Sequence, residues 1–468
     1  MDFSTILQTP TFRALVQENA LDRVFHDALY PKQLFREEFD SERWEANVGD
    51  NKTFTGKGLM KVKLRPLIPG QDPTPADYRL EQWFAQQQQY ANTIDTNLPT
   101  AYAACVNKLT HDLSTLGLNA GQSLNRICRY KLYNAADSGW TVADGAQNTV
   151  TALRVKRLNG FTRARRPDLP AGSPVRYDFV TANNPLPITV GTTAVNVTGF
   201  TPDTAGDEIG TGTLTLDAAV TVADRAVVYA STRTFRVIAG GGLATDALTA
   251  GTDILTLATM RTLVARLRTT DVMEMSDGTY HMHVDPIGEG QLFSDAEFQQ
   301  LMRGTAAVGT EGRAYRDFII TQIMGCTLYR NNECPTPNNV DGGSTATFSF
   351  DDPIAGEVWS NGSASTGAPV HRALMTGMEA GKEYYVDQNA MVTEAGVTGR
   401  IEKGARIVNN GVEIDVDRIR VVMRAPQDRL QQIVANTWSF QGDFVIRTDG
   451  ATGDAASYKR VGAICFTE

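Results

Sequence analysis

The chain has 468 residues, of which 42% are hydrophobic and 21% are charged, and this is the composition of an ordinary globular protein. No run approaches the ~18 to 20 consecutive apolar residues that a membrane-spanning helix needs, so no membrane partner is expected. The 44 Lys and Arg against 53 Asp and Glu give a net charge of −9, which argues against a protein that binds nucleic acid over its whole surface.

The cysteines and the first residues indicate a reducing compartment. The five cysteines are odd in number and widely scattered and form no CxxC pair, so we expect free thiols rather than a disulfide framework or a zinc site. Residues 1–12 (MDFSTILQTPTF) lack the basic start, apolar block and cleavage site of a secretory signal. We therefore expect synthesis in the cytoplasm.

Residues 1–48 predict an amphipathic N-terminal arm. Apolar residues recur at helical spacing from Leu15 to Leu29, and Pro31 then ends that helix or begins the next one. Because a short terminal helix with polar flanks has too little apolar surface to form a domain, we expect the arm to lie on another surface.

Residues 49–99 predict a long, protruding β-hairpin. Apolar and basic residues alternate from Thr53 to Leu67, which is typical of a strand with two different faces. Residues Tyr78 to Ile94 can return beside this strand after the turn-rich stretch GQDPTPAD. An isolated hairpin is marginally stable in water, so we expect a neighbouring subunit to supply the surface on which it lies.

Residues 100–148 predict a scaffold region built on one long helix. Apolar residues recur at spacings of three and four from Ala101 to Tyr133, and a helix of this length spans roughly 45 Å. Gly117 and Gly121 are the points at which we expect this helix to bend.

The rest of the chain predicts an α+β fold. Residues 149–251 form short alternating stretches separated by Gly, Asp and Asn turns, which indicates an inserted β-rich domain. Residues 252–400 predict a mixed region, with a helix from Thr256 to Arg268 and a strand from Gly278 to Val284. Residues 401–468 return to alternating strands.

The stretch Tyr280–Pro286 (YHMHVDP) is the strongest candidate for chemistry. His281, His283 and Asp285 occupy alternate positions, so a strand projects all three to one face, and imidazole with carboxylate suits zinc or manganese. A metal-dependent hydrolase is therefore an open alternative. The intervening positions are apolar and the segment ends in an Asp-Pro turn, which favours a half-buried structural strand.

The usual catalytic signatures are missing from the sequence. No phosphate-binding loop, GxGxxG fingerprint or GxSxG elbow occurs. We therefore predict that the protein is not an enzyme, with no catalytic residue, no cofactor and no metal ligand.

The run Arg154 to Arg166 (RVKRLNGFTRARR) carries six positive charges. It is typical of a solvated edge or of a contact with acidic residues of a neighbouring subunit, and nucleic acid is a third alternative.

The order of these parts resembles that of the major capsid proteins of tailed bacteriophages, whose fold is shared with encapsulin shells. The resemblance covers most of the chain outside residues 149–251. Local likeness lies in TYHMHVDPIGEGQLFSDAEFQQLM, in HRALMTGMEAG and in the closing strands from Trp438 to Phe466. It implies an N-terminal arm (1–48), an extended hairpin loop (49–99), a peripheral domain with a spine helix (100–148), an inserted β-domain (149–251), an axial domain (252–400) and closing strands shared by the axial and peripheral domains (401–468).

The resemblance also implies a function. The protein is expected to assemble into hexamers and pentamers of an icosahedral head shell around double-stranded DNA, and to reside in the virion. Portal protein, a separate scaffolding protein, decoration proteins and weak non-specific contact with packaged DNA are the implied partners. A nanocompartment shell protein and the metal-dependent hydrolase are the alternatives. A third hypothesis, a monomeric carbohydrate-binding protein, is based on the β-rich insert alone.

Inter-subunit contacts are expected from the arm, the hairpin and the basic run. Lys57 lies where some family members carry a cross-linking lysine, but no matching asparagine or glutamate is found, so that chemistry is not predicted. The predicted contact residues are Phe12, Leu15, Lys57, Leu59, Lys61, Lys63, Arg65, Trp83, Arg163, Arg165 and Arg166.

Overall fold

The structure is a computed structural model whose helices and strands confirm the predicted α+β class. It describes residues 20–29, 33–44, 49–57, 63–64, 66–73, 75, 80–97, 108–166, 177–242, 248–300, 322–331, 333–334, 370–386, 406–408, 411–416, 418–424, 432–448 and 458–467. The chain divides into two units. Unit 1 comprises Met1–Thr53, Phe84–Arg129 and Gly381–Val445, and unit 2 comprises Phe54–Trp83, Tyr130–Ala380 and Ile446–Glu468. The six-part division into domains stays a prediction.

The helices and strands have the following bounds. The α-helices are α1 (Ala20–Leu29), α2 (Lys108–Ala136), α3 (Leu257–Thr269) and α4 (Pro286–Ser294), residues 296–300 are also helical, and 3-10 turns lie at Arg36–Glu38 and Ala239–Gly241. Strands of the first half are β1 (Phe39–Trp44), β2 (Asn51–Lys57), β3 (Leu80–Gln86), β4 (Gln88–Asn97), β5 (Trp140–Val142), β6 (Gln147–Val155), β7 (Arg163–Arg165), β8 (Tyr177–Phe179), β9 (Leu186–Val190), β10 (Thr193–Pro202), β11 (Gly212–Val222), β12 (Val227–Ala230) and β13 (Arg236–Ile238). Strands of the second half are β14 (Tyr280–Val284), β15 (Gln322–Ile323), β16 (Cys326–Arg330), β17 (Val370–Thr376), β18 (Gly381–Val386), β19 (Arg406–Val408), β20 (Gly411–Val416), β21 (Ile419–Arg424), β22 (Ile433–Ile446) and β23 (Val461–Thr467).

The predicted long helix is confirmed as the 29-residue helix α2. Its apolar residues form one buried stripe because spacings of three and four return to the same face of a helix. The stripe consists of Leu113, Leu116, Ala120, Leu124, Cys128 and Leu132, each 0% exposed.

Gly117 has a packing role that the sequence did not indicate. A Cβ atom at Gly117 would lie 2.7 Å from the carbonyl oxygen of Phe25, on helix α1. The two helices of unit 1 approach each other closely at this point because glycine has no side chain.

The β-rich region folds into a small sheet that closes on itself. Its strand order is β5-β12-β9-β10-β11-β6, and a bridge between Ala143 and Val155 joins the two ends. Alternate residues of β9 and β11 point into one apolar core, as strand geometry requires. The sheet begins at Trp140, nine residues before the predicted start at 149.

The predicted strand from Thr53 to Leu67 is shorter than expected. Strand β2 ends at Lys57 and pairs with β3, whereas residues 63–64 and 66–73 have no strand structure. Pro66, inside the predicted strand, lacks the amide hydrogen that a strand ladder uses, so it disfavours pairing at that end of the segment. The predicted return strand is divided at Gln87, and β4 pairs with β22 instead of with β2.

Each unit has one further large sheet, and β7 and β8 form a two-stranded sheet in unit 2. In unit 1 the order is β1-β18-β22-β21-β20-β19, with β4 also paired to β22. In unit 2 the order is β13-β23-β17-β14-β16-β15, and α3 contributes its apolar face to the same core. No helix among the described residues is long and apolar enough to cross a membrane.

Candidate functional site

The histidine-containing stretch forms the central strand β14. It pairs in parallel with β16 and in antiparallel with β17. Four of its five residues are buried, so both faces of the strand are covered. The prediction of a half-buried strand is therefore wrong for the face that carries the histidines. His281 alone is partly exposed, and His283 is 1% exposed.

Both histidines contact the ring of Tyr329, His281 edge-on and His283 stacked. The Tyr329 ring centroid is 4.9 Å from that of His281 and 5.4 Å from that of His283. His281 Nε2 lies 3.3 Å from Asp277 Oδ2, and Asn331 Nδ2 donates to His283 Nδ1 at 3.4 Å. An aromatic side chain therefore lies against both imidazoles, and each imidazole contacts a different polar side chain.

Asp285 has a structural role at the end of the strand. Its Oδ1 accepts a hydrogen bond from Gly288 N at 2.9 Å and caps helix α4. Its Oδ2 lies 2.6 Å from Nδ1 of His371, on strand β17. Since an ionised carboxylate only accepts hydrogen bonds, His371 donates through Nδ1. The imidazole of His371 is also stacked on Phe466, with ring centroids 5.5 Å apart.

The three residues considered as metal ligands thus have different polar partners, although His281 and His283 share the ring of Tyr329. Within the described part of the chain, no group of three or more His, Cys, Asp or Glu is placed to hold a metal ion. The alternative of a metal-dependent hydrolase on His281, His283 and Asp285 is not supported, because the contacts of these side chains stabilise a strand and a helix end.

The hairpin ends in an exposed loop, which we call the hairpin loop and define as residues 63–64 and 66–73. Every residue of it is exposed. Leu64 is 89% exposed, Leu67 59% and Ile68 63%. Among the predicted contact residues, Lys63 lies in this loop and is exposed. Phe12, Leu15, Leu59, Lys61 and Arg65 lie outside the described residues, and Lys57 is the last residue of β2.

Trp83 is buried within its own chain. It is 8% exposed, and its ring is stacked on Phe54 at a centroid distance of 6.4 Å. The guanidinium of Arg447 lies 5.6 Å from the ring. A Cβ atom at Gly56 would lie 2.7 Å from the indole, so the absence of a side chain at Gly56 leaves room for the indole ring. Phe54, Gly56 and Arg447 lie against the indole ring within the single chain, and contact of Trp83 with a neighbouring subunit stays a prediction.

The basic run has acidic partners on the same chain. Arg163 Nη2 lies 3.1 Å from Glu208 Oε1, and Arg166 Nη1 lies 3.2 Å from Asp178 Oδ2. Both pairs are more than a third exposed, and pairs of this kind contribute little to stability. Arg165 is exposed on β7. Contact of these arginines with a neighbouring subunit stays a prediction.

A buried charge cluster in unit 2 was missed by the sequence analysis. Asp137 Oδ2 lies 2.8 Å from Arg372 Nε, and the carboxylate lies 3.8 Å from Arg157 and 3.7 Å from Arg236. Burial disfavours the ionised carboxylate, but the three guanidinium groups outweigh it and hold the pKa of Asp137 below its ordinary value. The guanidinium of Arg236 also lies 4.2 Å from the ring of Trp140. No local pattern marks this cluster, since its members are far apart in sequence.

Unit 1 contains a second buried ion pair. Glu383 is 1% exposed and accepts two hydrogen bonds from Arg36, at 3.1 and 2.6 Å. Arg418 Nη1 lies 3.1 Å from the same carboxylate. The pair joins the turn before β1 to strand β18, its parallel neighbour. Two-point contact of this kind fixes the register of the two strands.

Known structures resemble the chain over nearly its full length. No protein-family model and no curated protein sequence matches it. The capsid of Ralstonia phage GP4 matches with 12% identity and a TM-score of 0.48, covering 94% of this chain and 92% of that one. The Cyanophage Pam1 capsid matches with 9% identity and a TM-score of 0.48, covering 95% and 93%. The capsid of Cyanophage P-SCSP1u matches with 10% identity and a TM-score of 0.46, covering 93% and 88%.

Proposed function

We propose that the protein is a major capsid protein, which assembles into hexamers and pentamers and forms the icosahedral head shell around the double-stranded DNA of a tailed bacteriophage. The family is inferred from the order of the sequence elements. The proposed mechanism of assembly is that each subunit covers apolar residues exposed on the surface of its neighbours. Interfaces of more than ~2,000 Å² are typical of such obligate assemblies.

The hairpin loop is the observation that carries this proposal. Three large aliphatic side chains, those of Leu64, Leu67 and Ile68, are each more than half exposed within about five residues of each other. Full burial of one such side chain contributes about 1.5 to 3 kcal/mol. An exposed apolar segment of this kind marks a protein-protein contact, and in a shell the partner is another subunit.

The remaining parts take the roles that the resemblance implies. Residues 1–48 are the arm, 49–99 the extended loop, 100–148 the peripheral domain with the spine helix, 149–251 the insert, 252–400 the axial domain and 401–468 the closing strands. The protein is synthesised in the host cytoplasm and resides in the virion. Portal, scaffolding and decoration proteins are its partners, and contact with packaged DNA is weak, as the net charge of −9 favours.

The proposal is tested by expressing the full chain and observing the soluble protein by size-exclusion chromatography and negative-stain electron microscopy. We expect shells, rings of capsomer size or tubes. A chain that stays monomeric at every concentration, with and without macromolecular crowding and also together with a scaffolding protein, contradicts the proposal.

A further inference from the structure

Arg447 lies against both strands of the hairpin. Phe54 on β2 and Trp83 on β3 are stacked, with ring centroids 6.4 Å apart. The guanidinium of Arg447, which directly follows the last residue of β22, lies 5.6 Å from the centroid of the Trp83 ring. A Cβ atom at Gly56, on β2, would lie 3.3 Å from Nη2 of the same arginine. The side chain of Arg447 therefore packs on the hairpin where β2 and β3 are paired.

The same arginine is also fixed to the turn that follows β17. Its backbone N donates a hydrogen bond to Ala380 O at 3.0 Å, and its Nη1 forms an ion pair with Oε2 of Glu379. Nη1 of Arg460 lies 3.5 Å from this carboxylate oxygen and donates to Met378 O at 2.8 Å. The side chain of Arg447 is 13% exposed, so solvent screens its ion pair less than that of a surface pair. Arg447 thus links the hairpin to the turn.

The backbone at Glu379 is unusual for its residue type. Ala380 N donates a hydrogen bond to Gly377 O at 3.2 Å, so residues 377–380 form a turn, and Glu379 has a φ of +55° at its third position. This position favours glycine or asparagine, because a Cβ atom is strained there. The turn itself gains nothing from glutamate. The contacts of the carboxylate with two arginines give this residue a use outside the turn.

We propose that Arg447 is a positioning residue that holds the hairpin in one direction before the subunits meet. This inference rests on the proposed shell, in which the hairpin loop contacts a neighbouring subunit. A planar guanidinium that lies against a ring and is paired with a carboxylate restricts the motion of the hairpin relative to the turn after β17. Holding a loop in its bound arrangement strengthens binding, because less conformational entropy is lost on association. Arg447 therefore lowers the subunit concentration at which shells form.

The first experiment measures amide hydrogen exchange of β2 and β3 in the unassembled subunit by mass spectrometry. Arg447→Met keeps an unbranched side chain beside Trp83 but removes the charge, and Glu379→Gly removes the carboxylate with a residue that suits the turn. In both variants these amides are expected to exchange about three- to tenfold faster, since local opening costs less free energy.

Arg460→Met is the matched control, because it removes the other arginine beside Glu379. Its exchange rates in β2 and β3 are expected to stay close to those of the wild type. Wild-type rates in both Arg447→Met and Glu379→Gly overturn the positioning role, and so does an equal acceleration in all three variants.

The second experiment measures the lowest subunit concentration at which closed particles form, by sedimentation. Arg447→Met and Glu379→Gly are expected to raise it by about three- to tenfold, and Arg460→Met is expected to leave it near the wild-type value. Glu379→Gly is expected to keep the Tm of the subunit, because glycine suits the turn. Loss of assembly only in variants whose Tm also falls overturns the positioning role, because unfolding then explains it.

The two experiments separate the role of Arg447 from the shell itself. Variants with faster exchange and an unchanged assembly concentration overturn the inference while leaving the shell intact. A wild-type chain that forms no particles, also together with a scaffolding protein, overturns the shell and with it the role of Arg447 in assembly.

Discussion

Asp285 and His371 lie 86 residues apart in the chain, yet Oδ2 of the first is 2.6 Å from Nδ1 of the second, and both side chains are almost fully buried. The same carboxylate caps helix α4. One side chain therefore holds a strand end, a helix start and the adjacent strand together.

Asp285→Ala is expected to lower the free energy of unfolding by about 2 to 4 kcal/mol, because it removes a helix cap and the buried hydrogen bond with His371. Asp285→Asn is the matched control, since asparagine also caps helices and keeps an acceptor, so its loss is expected to be the smaller one. Urea denaturation measures both. Equal losses, or stoichiometric zinc or manganese that Asp285→Ala removes, contradict the structural role.

The contribution of Asp137 to the free energy of unfolding depends on pH in the acid range. The folded state holds the pKa of this carboxyl below its ordinary value of 3.8, so the stabilisation is present above that value and is lost as the pH falls through the folded pKa. Asp137→Asn removes the negative charge that faces three buried guanidinium groups, and a loss of about 3 to 5 kcal/mol is expected.

The measurement is the free energy of unfolding between pH 3 and pH 7, for the wild type and for Asp137→Asn. The difference between them is expected to be constant near neutral pH and to shrink below about pH 4. Asp217, in the β-rich sheet, is the control for an exposed carboxylate, because hydrogen bonds from Asn196 also lower its pKa but solvent reduces their contribution, so Asp217→Asn is expected to have the smaller effect. A difference that grows as the pH falls refutes the assignment.

Gly56 and Trp83 form a size-complementary pair between β2 and β3. Gly56→Ala places a methyl group 2.7 Å from the indole and is expected to cost about 1 to 3 kcal/mol, and Trp83→Ala is expected to cost about 3 to 5 kcal/mol. Trp83→Leu provides space for the new methyl group. A double-mutant cycle with Gly56→Ala should therefore give a favourable coupling energy, and simple additivity would show that the two residues do not pack against each other.

Much of the fold followed from local periodicity. Helix α2 and strand β11 were predictable because their apolar residues repeat at the spacing of one helix face or one strand face over many residues. Strand β2 was predicted too long, since its alternating pattern continues to Leu67 although prolines interrupt pairing. Residues 63–64 and 67 belong to the alternating pattern that predicts a strand, yet they lie in the exposed hairpin loop.

The candidate site was less predictable, because its contacts join distant parts of the chain. The spacing of His281, His283 and Asp285 suits a metal site. Only the fold shows that Tyr329 lies against both imidazoles and that the carboxylate of Asp285 accepts a hydrogen bond from His371. The cluster around Asp137 has no sequence signal for the same reason. A sequence pattern shows which side chains share a face, but it does not show what lies opposite that face.

The hairpin loop provides the most direct test of assembly. Replacing Leu64, Leu67 and Ile68 together with serine is expected to abolish closed particles while changing the free energy of unfolding of the subunit by only about 0.5 kcal/mol per site, because these side chains are exposed in the single chain. The control variant carries Leu64→Met, Leu67→Met and Ile68→Leu, which keep the apolar surface and should keep assembly. Particle yield by sedimentation and unfolding by urea are measured for both. Serine variants that assemble normally would show that the loop is not a subunit contact, and serine variants that unfold easily would show that its apolar side chains stabilise their own chain instead.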